Sequence, residues 1–300
     1  MERQEQEEKQ EIQQQQSLAA AVERHYTRSN LENTILTALR SNGKNVDQLT
    51  VDDLAPIDEF HTRGREATTN LASLLNNLQP NFHVLDVGSG IGGPSRYLAS
   101  RFGCRVTGLD LVEEYCRVAD SLAKRVKLDN LLTYHQGDAT QMPFEDATFD
   151  VVWTQHASMN IADKKRLYSE MYRVLKPSGK LAIYDVFKGG SSSDMDGSSS
   201  IHFPVPWAPD PSINHLISGE EARKLLKDVI EFKEVAWEDK TASVIDWIKQ
   251  MIKRAQQTNG PPQIGLHVLV GPQWSDLVKN LIRNLEEGRI AVAQGIFERS

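Results

Sequence analysis

The sequence feature that most constrains the fold is the stretch HVLDVGSGIGG at residues 83–93, where a short apolar run ends in an acidic residue and then breaks into glycines. The apolar run predicts a buried strand. Gly88 and Gly90 predict a tight turn in which a ligand lies against bare backbone. Residues 95–101 have helical character, so the free N–H groups at the start of that helix would face the ligand. The stretch therefore predicts a nucleotide-type binding turn.

The turn by itself leaves an NAD-type site open. Gly88, Gly90 and Gly93 also satisfy the G-x-G-x-x-G spacing of dinucleotide-binding proteins. Such proteins carry an acidic residue about 20 positions further on, and Asp110 stands there. Other motifs have to separate the two classes of cofactor.

The pattern after the turn predicts an α/β fold. Predicted strands at 105–109, 131–136, 150–154 and 180–186 largely alternate with predicted helices at 112–126 and 164–175. This order indicates a Rossmann-like, doubly wound, mostly parallel sheet with helices on both faces. Asp86, Asp110, Asp138 and Asp185 fall at or just past predicted strand ends. Because ligands bind beyond the carboxyl ends of such strands, we expect these four carboxylates on one rim of the sheet.

Four regions are expected along the chain. Residues 1–16 are a Gln/Glu-rich tail that cannot bury a core and is predicted to be disordered. Residues 17–80 are predicted to form an N-terminal helical cap, in which 45–59 carry turn signals. Residues 81–187 are the predicted cofactor-binding core. Residues 188–300 contain a long polar and then proline-rich loop, expected to be a lid, followed by substrate-facing helices and the final strands.

Composition favours a small-molecule partner. The net charge of −7 argues against nucleic acid or an anionic membrane surface as the main partner. No apolar run approaches the roughly 18 residues of a membrane span, and the N-terminal residues lack a signal-peptide core, so we expect no membrane insertion and a cytoplasmic location. Cys104 and Cys116 are expected to be buried reduced thiols, and no metal site is predicted. We expect a monomer or a homodimer.

Four short motifs separate the cofactor classes: GDA at 137–139, PF at 143–144, FD at 149–150 and LKPSG at 175–179. Together with the glycine turn they resemble the class I S-adenosylmethionine-dependent methyltransferases and not the dehydrogenases. Within that class, GSGIGGPSRYLA and DLVEEYCRVA look most like a small-molecule subgroup. That subgroup includes sarcosine/dimethylglycine, phosphoethanolamine, tocopherol and sterol methyltransferases. The resemblance covers about residues 64–186 well.

The resemblance implies S-adenosyl-L-methionine as the cofactor and gives the glycine turn a role. By similarity, Gly88, Ser89 and Gly90 would approach the methionyl part of the cofactor. Asp86 would either order the turn or bind the cofactor's amino group. The methyl donor is thus expected at the end of the first strand.

The nucleoside part of the cofactor is assigned to the next strand ends. By similarity, Asp110 would bind the ribose hydroxyls and Leu111 would contact the adenine. Asp138 and Ala139 would bind the adenine edge, since a carboxylate there can accept its exocyclic amine. Gln155, at the end of the fourth predicted strand, is assigned to the cofactor as well.

Catalysis is expected in the loop after the fourth strand. Methyl transfer from a sulfonium needs alignment and exclusion of water, and proton removal only if the acceptor arrives protonated. His156 is the candidate general base or substrate hydrogen-bond partner, and Asn160 is expected to orient the substrate. The phosphoethanolamine and dimethylglycine relatives carry Asp and His at these two positions, so their proton relay does not transfer directly. Met159, Phe203 and Trp207 are predicted to wall the acceptor pocket.

These patterns lead to ranked hypotheses. The first is methyl transfer from S-adenosylmethionine to a small-molecule acceptor, with nitrogen as the preferred atom. The alternative is carbon- or oxygen-methylation of a quinone, a tocopherol, a sterol or another natural product. A hypothesis of another class is a methyltransferase-like protein that binds without turnover. An NAD-dependent dehydrogenase ranks last.

Overall fold

The structure, a computed structural model, does not describe every residue of the chain. It describes residues 13, 17–27, 30–190, 200–258 and 260–300. The predicted disordered tail lies outside the described residues apart from residue 13. Residues 191–199 of the polar loop also lie outside them.

A seven-stranded sheet forms the centre of the molecule. Its strands are β1 His83–Val87, β2 Arg105–Asp110, β3 Leu132–Gln136, β4 Phe149–Gln155, β5 Leu175–Lys188, β6 Phe232–Asp239 and β7 Ile290–Arg299. The strand order is β3-β2-β1-β4-β5-β7-β6. The first five strands are parallel, and β7 runs antiparallel to both of its neighbours. The predicted doubly wound, mostly parallel sheet is confirmed, and its order reverses between β1 and β4, where such sheets bind ligands.

The helices cover both faces of this sheet. They are α1 (residues 17–26), α2 Leu31–Ser41, α3 Val51–Asp58, α4 Gly64–Leu74, α5 Gly93–Phe102, α6 Glu113–Arg125, α7 Lys164–Val174, α8 Gly219–Lys224, α9 Thr241–Gln257, α10 Leu266–Val270 and α11 Trp274–Glu286. Within the described ranges, no helix combines the length and the hydrophobicity needed to cross a membrane.

Two apolar clusters explain why the central strands are apolar at successive positions. Trp153 and Tyr184 belong to the cluster under α4, α5, α9 and α11. Leu85 and Ile183 belong to the cluster under α7 and α8. Because successive strand residues point to opposite faces, a strand buried on both sides has no polar face to show.

In the N-terminal cap, residues 45–59 were expected to form turns, but the structure has a helix over most of them. That interpretation is wrong for most of the segment, because α3 occupies it. Thr50 begins the helix with a capping box, in which its side chain accepts from the Asp53 N–H and the Asp53 side chain accepts from the Thr50 N–H. Pro56 lies inside this helix, although the Ala-Pro pair is one of the turn signals of the segment. Leu54 and Ile57 of α3 pack with α2 and α6 in a third apolar cluster.

A buried ion pair joins the cap to the core. Arg96 Nη2 of α5 lies 2.7 Å from Asp58 Oδ2 at the end of α3, and both side chains are fully buried. Burial raises the pKa of Asp58, while the Arg96 guanidinium acts in the opposite direction. Removing one partner of such a pair leaves a buried charge uncompensated. The pair therefore makes docking of α3 conditional on α5.

We expect Arg96→Met to lower the free energy of unfolding by about 3–5 kcal/mol, because Asp58 loses the buried counter-charge that contacts it. The measurement is urea unfolding followed by circular dichroism. Lys124→Met is the matched control, since the Lys124–Asp120 pair is largely exposed and such pairs contribute little. Equal shifts of the two variants would contradict this role of the buried pair.

Candidate active site

A cavity of about 260 Å³ opens at the carboxyl ends of β1 to β4, at the point where the strand order reverses. Most of the residues assigned from the sequence line it together: Gly88, Gly90, Asp110, Leu111, Asp138, Ala139, Gln155, His156, Met159, Asn160 and Trp207. Three assigned residues do not line it: Asp86, Ser89 and Phe203. The cavity is therefore the candidate site.

The glycine turn permits two close approaches between backbone segments. At Gly88, where φ is 73°, an added Cβ would lie 2.4 Å from the Cβ of Ala157 in the loop after β4. The Gly88 N–H donates to the Leu109 carbonyl at 2.8 Å. At Gly93 an added Cβ would lie 2.3 Å from the carbonyl oxygen of Asp58. A side chain at either position would separate segments that shape the cavity.

Asp110 holds the turn from the end of β2. Its Oδ2 accepts from the Gly90 N–H at 2.8 Å, and its Oδ1 accepts from the Val112 N–H at 2.9 Å. Burial raises the pKa of Asp110, while these backbone hydrogen bonds act to lower it. Each carboxylate oxygen has a further lone pair. The side chain is therefore both fixed by backbone and able to accept from a ligand.

Asp138 lies in the turn after β3, as the sequence predicted. Its Oδ1 accepts from the Thr140 N–H at 2.7 Å and from the Thr140 hydroxyl at 2.8 Å. Its Oδ2 has no hydrogen-bond partner among the described residues. Asp138 is exposed, whereas Ala139 beside it is half-buried. An acceptor oxygen and a small apolar side chain thus face the same end of the cavity.

Asp86 and Ser89 lie beneath the turn. Asp86 is buried, and its Oδ2 accepts from the hydroxyl of Ser95, in α5, at 2.6 Å. Burial raises the pKa of Asp86 to about 7. Ser89 is buried too, and its carbonyl accepts from the Gly92 N–H at 2.9 Å. Of the two roles implied for Asp86, this geometry supports ordering of the turn.

Gln155 ends β4 with a side chain whose orientation is fixed by its neighbours. Its Oε1 accepts from Trp153 Nε1 at 2.9 Å and from the Thr68 hydroxyl at 3.2 Å. Since an indole N–H only donates, the atom that it contacts must be the amide oxygen. The buried Nε2 of Gln155 has no hydrogen-bond partner among the described residues.

His156 occupies a backbone conformation that non-glycine residues rarely adopt, with φ of 51°. Its N–H donates to the Tyr184 carbonyl at 2.9 Å, and its ring stacks on Tyr184 with centroids 5.2 Å apart and planes 10° apart. Burial lowers the pKa of His156 well below 6.5, and the neighbouring His61 lowers it further. The imidazole is therefore neutral near pH 7.

Asn160 uses its whole side-chain amide to join three segments. Its Oδ1 accepts from the Tyr26 hydroxyl in α1 at 2.9 Å. Its Nδ2 donates to the carbonyls of Trp207 and Ile213 at 2.7 Å and 2.9 Å. Met159 beside it is buried, and its carbonyl accepts from the His215 N–H. Asn160 thus holds the cap, the loop after β4 and the lid around the cavity.

Lys164, at the start of α7, is a residue of this site that sequence reasoning missed. Its buried ammonium donates to the carbonyls of Ser158 and His215 at 2.6 Å and 2.8 Å, and to the carbonyl of Ile161. Burial lowers its pKa to about 8, while Asp185 acts in the opposite direction. A lysine at a helix start gives no local sign of these contacts, which come from carbonyls of the loop after β4 and of the lid.

An aromatic wall also escaped the sequence analysis. Tyr26, Phe60 and Tyr115 line the cavity with Trp207. The Phe60 and Tyr115 rings lie 5.6 Å apart, and those of Tyr26 and Tyr115 lie 6.3 Å apart, all edge to face. Phe203, predicted to be part of this wall, packs instead against the apolar cluster under α9 and α11. Within the part of the chain that the structure describes, no lysine or arginine lines the cavity.

We expect Gly88→Ala to weaken binding of S-adenosylhomocysteine at least about tenfold, because the methyl group meets Ala157 and the backbone is left-handed there. Titration calorimetry measures the affinity. Gly43→Ala is the control, since Gly43 has φ of 75° but no atom within 4 Å of an added Cβ. A similar loss of affinity in both variants would show that general destabilisation is the cause.

Comparison with known proteins agrees with this geometry. Residues 85–183, about a third of the chain, match the family described as "Methyltransferase domain". The chain is 39% identical over 109 residues to a sterol 24-C-methyltransferase of Clavispora lusitaniae, covering 36% of this chain and 29% of that protein. It is 33% identical over 134 residues to a sarcosine/dimethylglycine N-methyltransferase of Halorhodospira halochloris, covering 45% of this chain and 47% of that protein. The chain thus matches less than half the length of these curated relatives.

A solved structure shares the fold over nearly the whole chain. The geranyl diphosphate C-methyltransferase of Streptomyces coelicolor, solved with S-adenosyl-L-homocysteine, superposes with a TM-score of 0.67 at 17% identity. The superposition covers 96% of this chain and 98% of that protein. Residues 85–183 therefore match the methyltransferase-domain family, and the chain has the class I fold of the S-adenosylmethionine-dependent methyltransferases.

Proposed function

We propose that the protein transfers a methyl group from S-adenosylmethionine to a small-molecule acceptor. The observation that carries this proposal is the single cavity into which the glycine turn, Asp110 and the turn after β3 all open. The similarity to methyltransferases of both nitrogen and carbon acceptors supports it. Both of these relatives are methyltransferases, so they give no support to the hypothesis of an NAD-dependent dehydrogenase.

The residues present fit this cofactor. Asp110 offers carboxylate lone pairs to the ribose hydroxyls, and Asp138 offers its free Oδ2 to the adenine amine. Gly88 and Gly90 leave room for the methionyl tail against the backbone. Gln155 holds an amide N–H that has no partner among the described residues beside the same space. The cofactor, when bound, supplies a methyl group on a positively charged sulfur.

The protein's own part in the reaction is alignment and exclusion of water. The loop after β4 places His156 at the cavity, and Asn160 and Lys164 fix that loop against the lid. The helix α1 covers the cavity with Leu18 and Val22. An acceptor enclosed in this way would meet the methyl group from a defined direction.

The residues that line the cavity indicate which chemical class of methyl acceptor fits it. An amine that carries a phosphate or carboxylate group would need cationic partners, and no lysine or arginine among the described residues lines the cavity. The aromatic wall of Tyr26, Phe60, Tyr115 and Trp207 suits an uncharged, largely apolar body. This observation favours carbon- or oxygen-methylation of a quinone, tocopherol, sterol or other natural product over the nitrogen acceptor preferred from the sequence. A cytoplasmic location and a monomer or homodimer remain part of the proposal.

We expect Asp110→Asn to lower the affinity for S-adenosylhomocysteine about 10- to 100-fold, because hydrogen bonds to a charged acceptor contribute about 1.5–3 kcal/mol. Calorimetry measures the affinity, with the exposed Asp129→Asn as control. Unchanged binding by Asp110→Asn would remove Asp110 from the cofactor site.

We expect the wild-type protein, incubated with isotopically labelled methyl donor, to label one product in a lipid or polar metabolite extract. Mass spectrometry of both extracts identifies the class of acceptor, and a product in the lipid extract supports the apolar body proposed here. Binding of S-adenosylhomocysteine without any labelled product would favour a methyltransferase-like binding protein without turnover.

A further inference from the structure

His156 is the inner end of a short chain of hydrogen bonds that leads away from the cavity. Its Nε2 lies 3.3 Å from the hydroxyl of Thr62, and that hydroxyl lies 2.8 Å from the hydroxyl of Tyr184. Tyr184 and Thr62 are buried, at 0% and 8% exposure. Buried hydroxyl groups have to find their partners within the protein. The direction of each hydrogen bond therefore follows from which acceptor each hydroxyl hydrogen can reach.

The hydrogen of Tyr184 has one acceptor within reach among the described residues, which is the Thr62 oxygen. Arg63 also acts on Tyr184 and lowers the pKa of the phenol, but a guanidinium offers only donors. Glu66 acts on the phenol through its charge and raises its pKa. Tyr184 therefore donates to Thr62. The opposite direction would leave the buried phenol hydrogen without an acceptor, at a cost of about 1–3 kcal/mol.

The direction of the Tyr184–Thr62 hydrogen bond determines the direction of the next one, between Thr62 and the imidazole of His156. With its oxygen accepting from Tyr184, its own hydrogen goes to its remaining partner, Nε2 of His156. An imidazole nitrogen that accepts is unprotonated, so the neutral ring carries its proton on Nδ1. The low pKa of His156 agrees with a neutral ring.

The protonated nitrogen is the one that is open to a ligand. Nδ1 has no hydrogen-bond partner among the described residues, and it is not one of the enclosed polar atoms. His156 is one of the residues that line the cavity. The left-handed backbone at His156 and the stacking on Tyr184 hold the ring in this position.

We infer that His156 serves the proposed methyl transfer as a hydrogen-bond donor through Nδ1 and not as a general base, with Thr62 and Tyr184 as positioning residues that set its tautomer. The inference rests on the proposed function. It assigns to the acceptor an oxygen with a free lone pair, such as a carbonyl, ether or phenolate oxygen, near the methylated atom.

This assignment fixes the path of the electrons and of the proton. A lone pair or π-electron pair of the acceptor forms the bond to the methyl carbon, the carbon–sulfur bond breaks, and its electron pair stays on sulfur. A hydrogen-bond donor beside the acceptor orients it without taking up its proton. Any proton that the methylated acceptor gives up passes to bulk water when the product leaves the cavity, and not to His156.

The tautomer can be measured without any substrate, by long-range ¹H–¹⁵N NMR of protein labelled with ¹⁵N-histidine. The chain has eight histidines, so the His156 signals are assigned as those absent from His156→Asn. We expect Nδ1 protonated and Nε2 unprotonated at neutral pH. Thr62→Val should lose this preference and Thr62→Ser should keep it. A proton on Nε2, or a charged ring at neutral pH, overturns the inference whether or not the protein is a methyltransferase.

The rate at which the labelled product forms distinguishes a hydrogen-bond donor from a general base at His156. Asparagine places an amide N–H where Nδ1 stood but has no basic nitrogen. We therefore expect His156→Ala to lose activity about tenfold, the worth of one hydrogen bond, and His156→Asn to recover most of that loss. Equal losses of about 10²- to 10⁴-fold in both variants would identify a general base and overturn the inference. Binding of S-adenosylhomocysteine, measured in parallel, reports on the proposed function separately.

Discussion

The rest of the structure depends on how closely backbone segments approach one another at the glycine turn. Ala157 packs where a side chain on Gly88 would stand, and the carbonyl of Asp58 packs where one on Gly93 would stand. Asp110 then holds the turn by accepting from its backbone. The cap, the loop after β4 and the second strand all meet this turn. A side chain on Gly88 would displace the loop, and one on Gly93 would displace the cap.

A second property of the site is that buried side chains tie its loop and lid segments to the rest of the fold. Asp185, near the end of β5, accepts from the Ser158 N–H, while Lys164 and Asn160 bond to backbone carbonyls of the loop and the lid. Backbone groups held by buried side chains lose little further freedom on binding. Such preorganisation is what an in-line displacement requires, since its rate depends on the direction from which the acceptor approaches.

Two local sequence patterns compete over residues 45–59. Thr50 and Asp53 have the spacing of a capping box, which predicts a helix start, whereas the Ala-Pro pair that contains Pro56 is a turn signal. The box satisfies free N–H groups at the helix start, and burial of Leu54 and Ile57 adds apolar packing. Together these contributions outweigh the backbone hydrogen bond that a proline cannot donate.

The sequence by itself determined the strands, the glycine turn and the carboxylates at the strand ends, because each depends on residues that are close together in the chain. Only the tertiary structure decided which side chains surround the acceptor. Tyr26 reaches Asn160 across 134 positions, and Thr62 reaches His156 and Tyr184 across 94 and 122. These contacts, and with them the tautomer of His156, exist because the cap docks on the carboxyl ends of the strands. Docking is set by burial of many scattered apolar side chains, which no local pattern encodes.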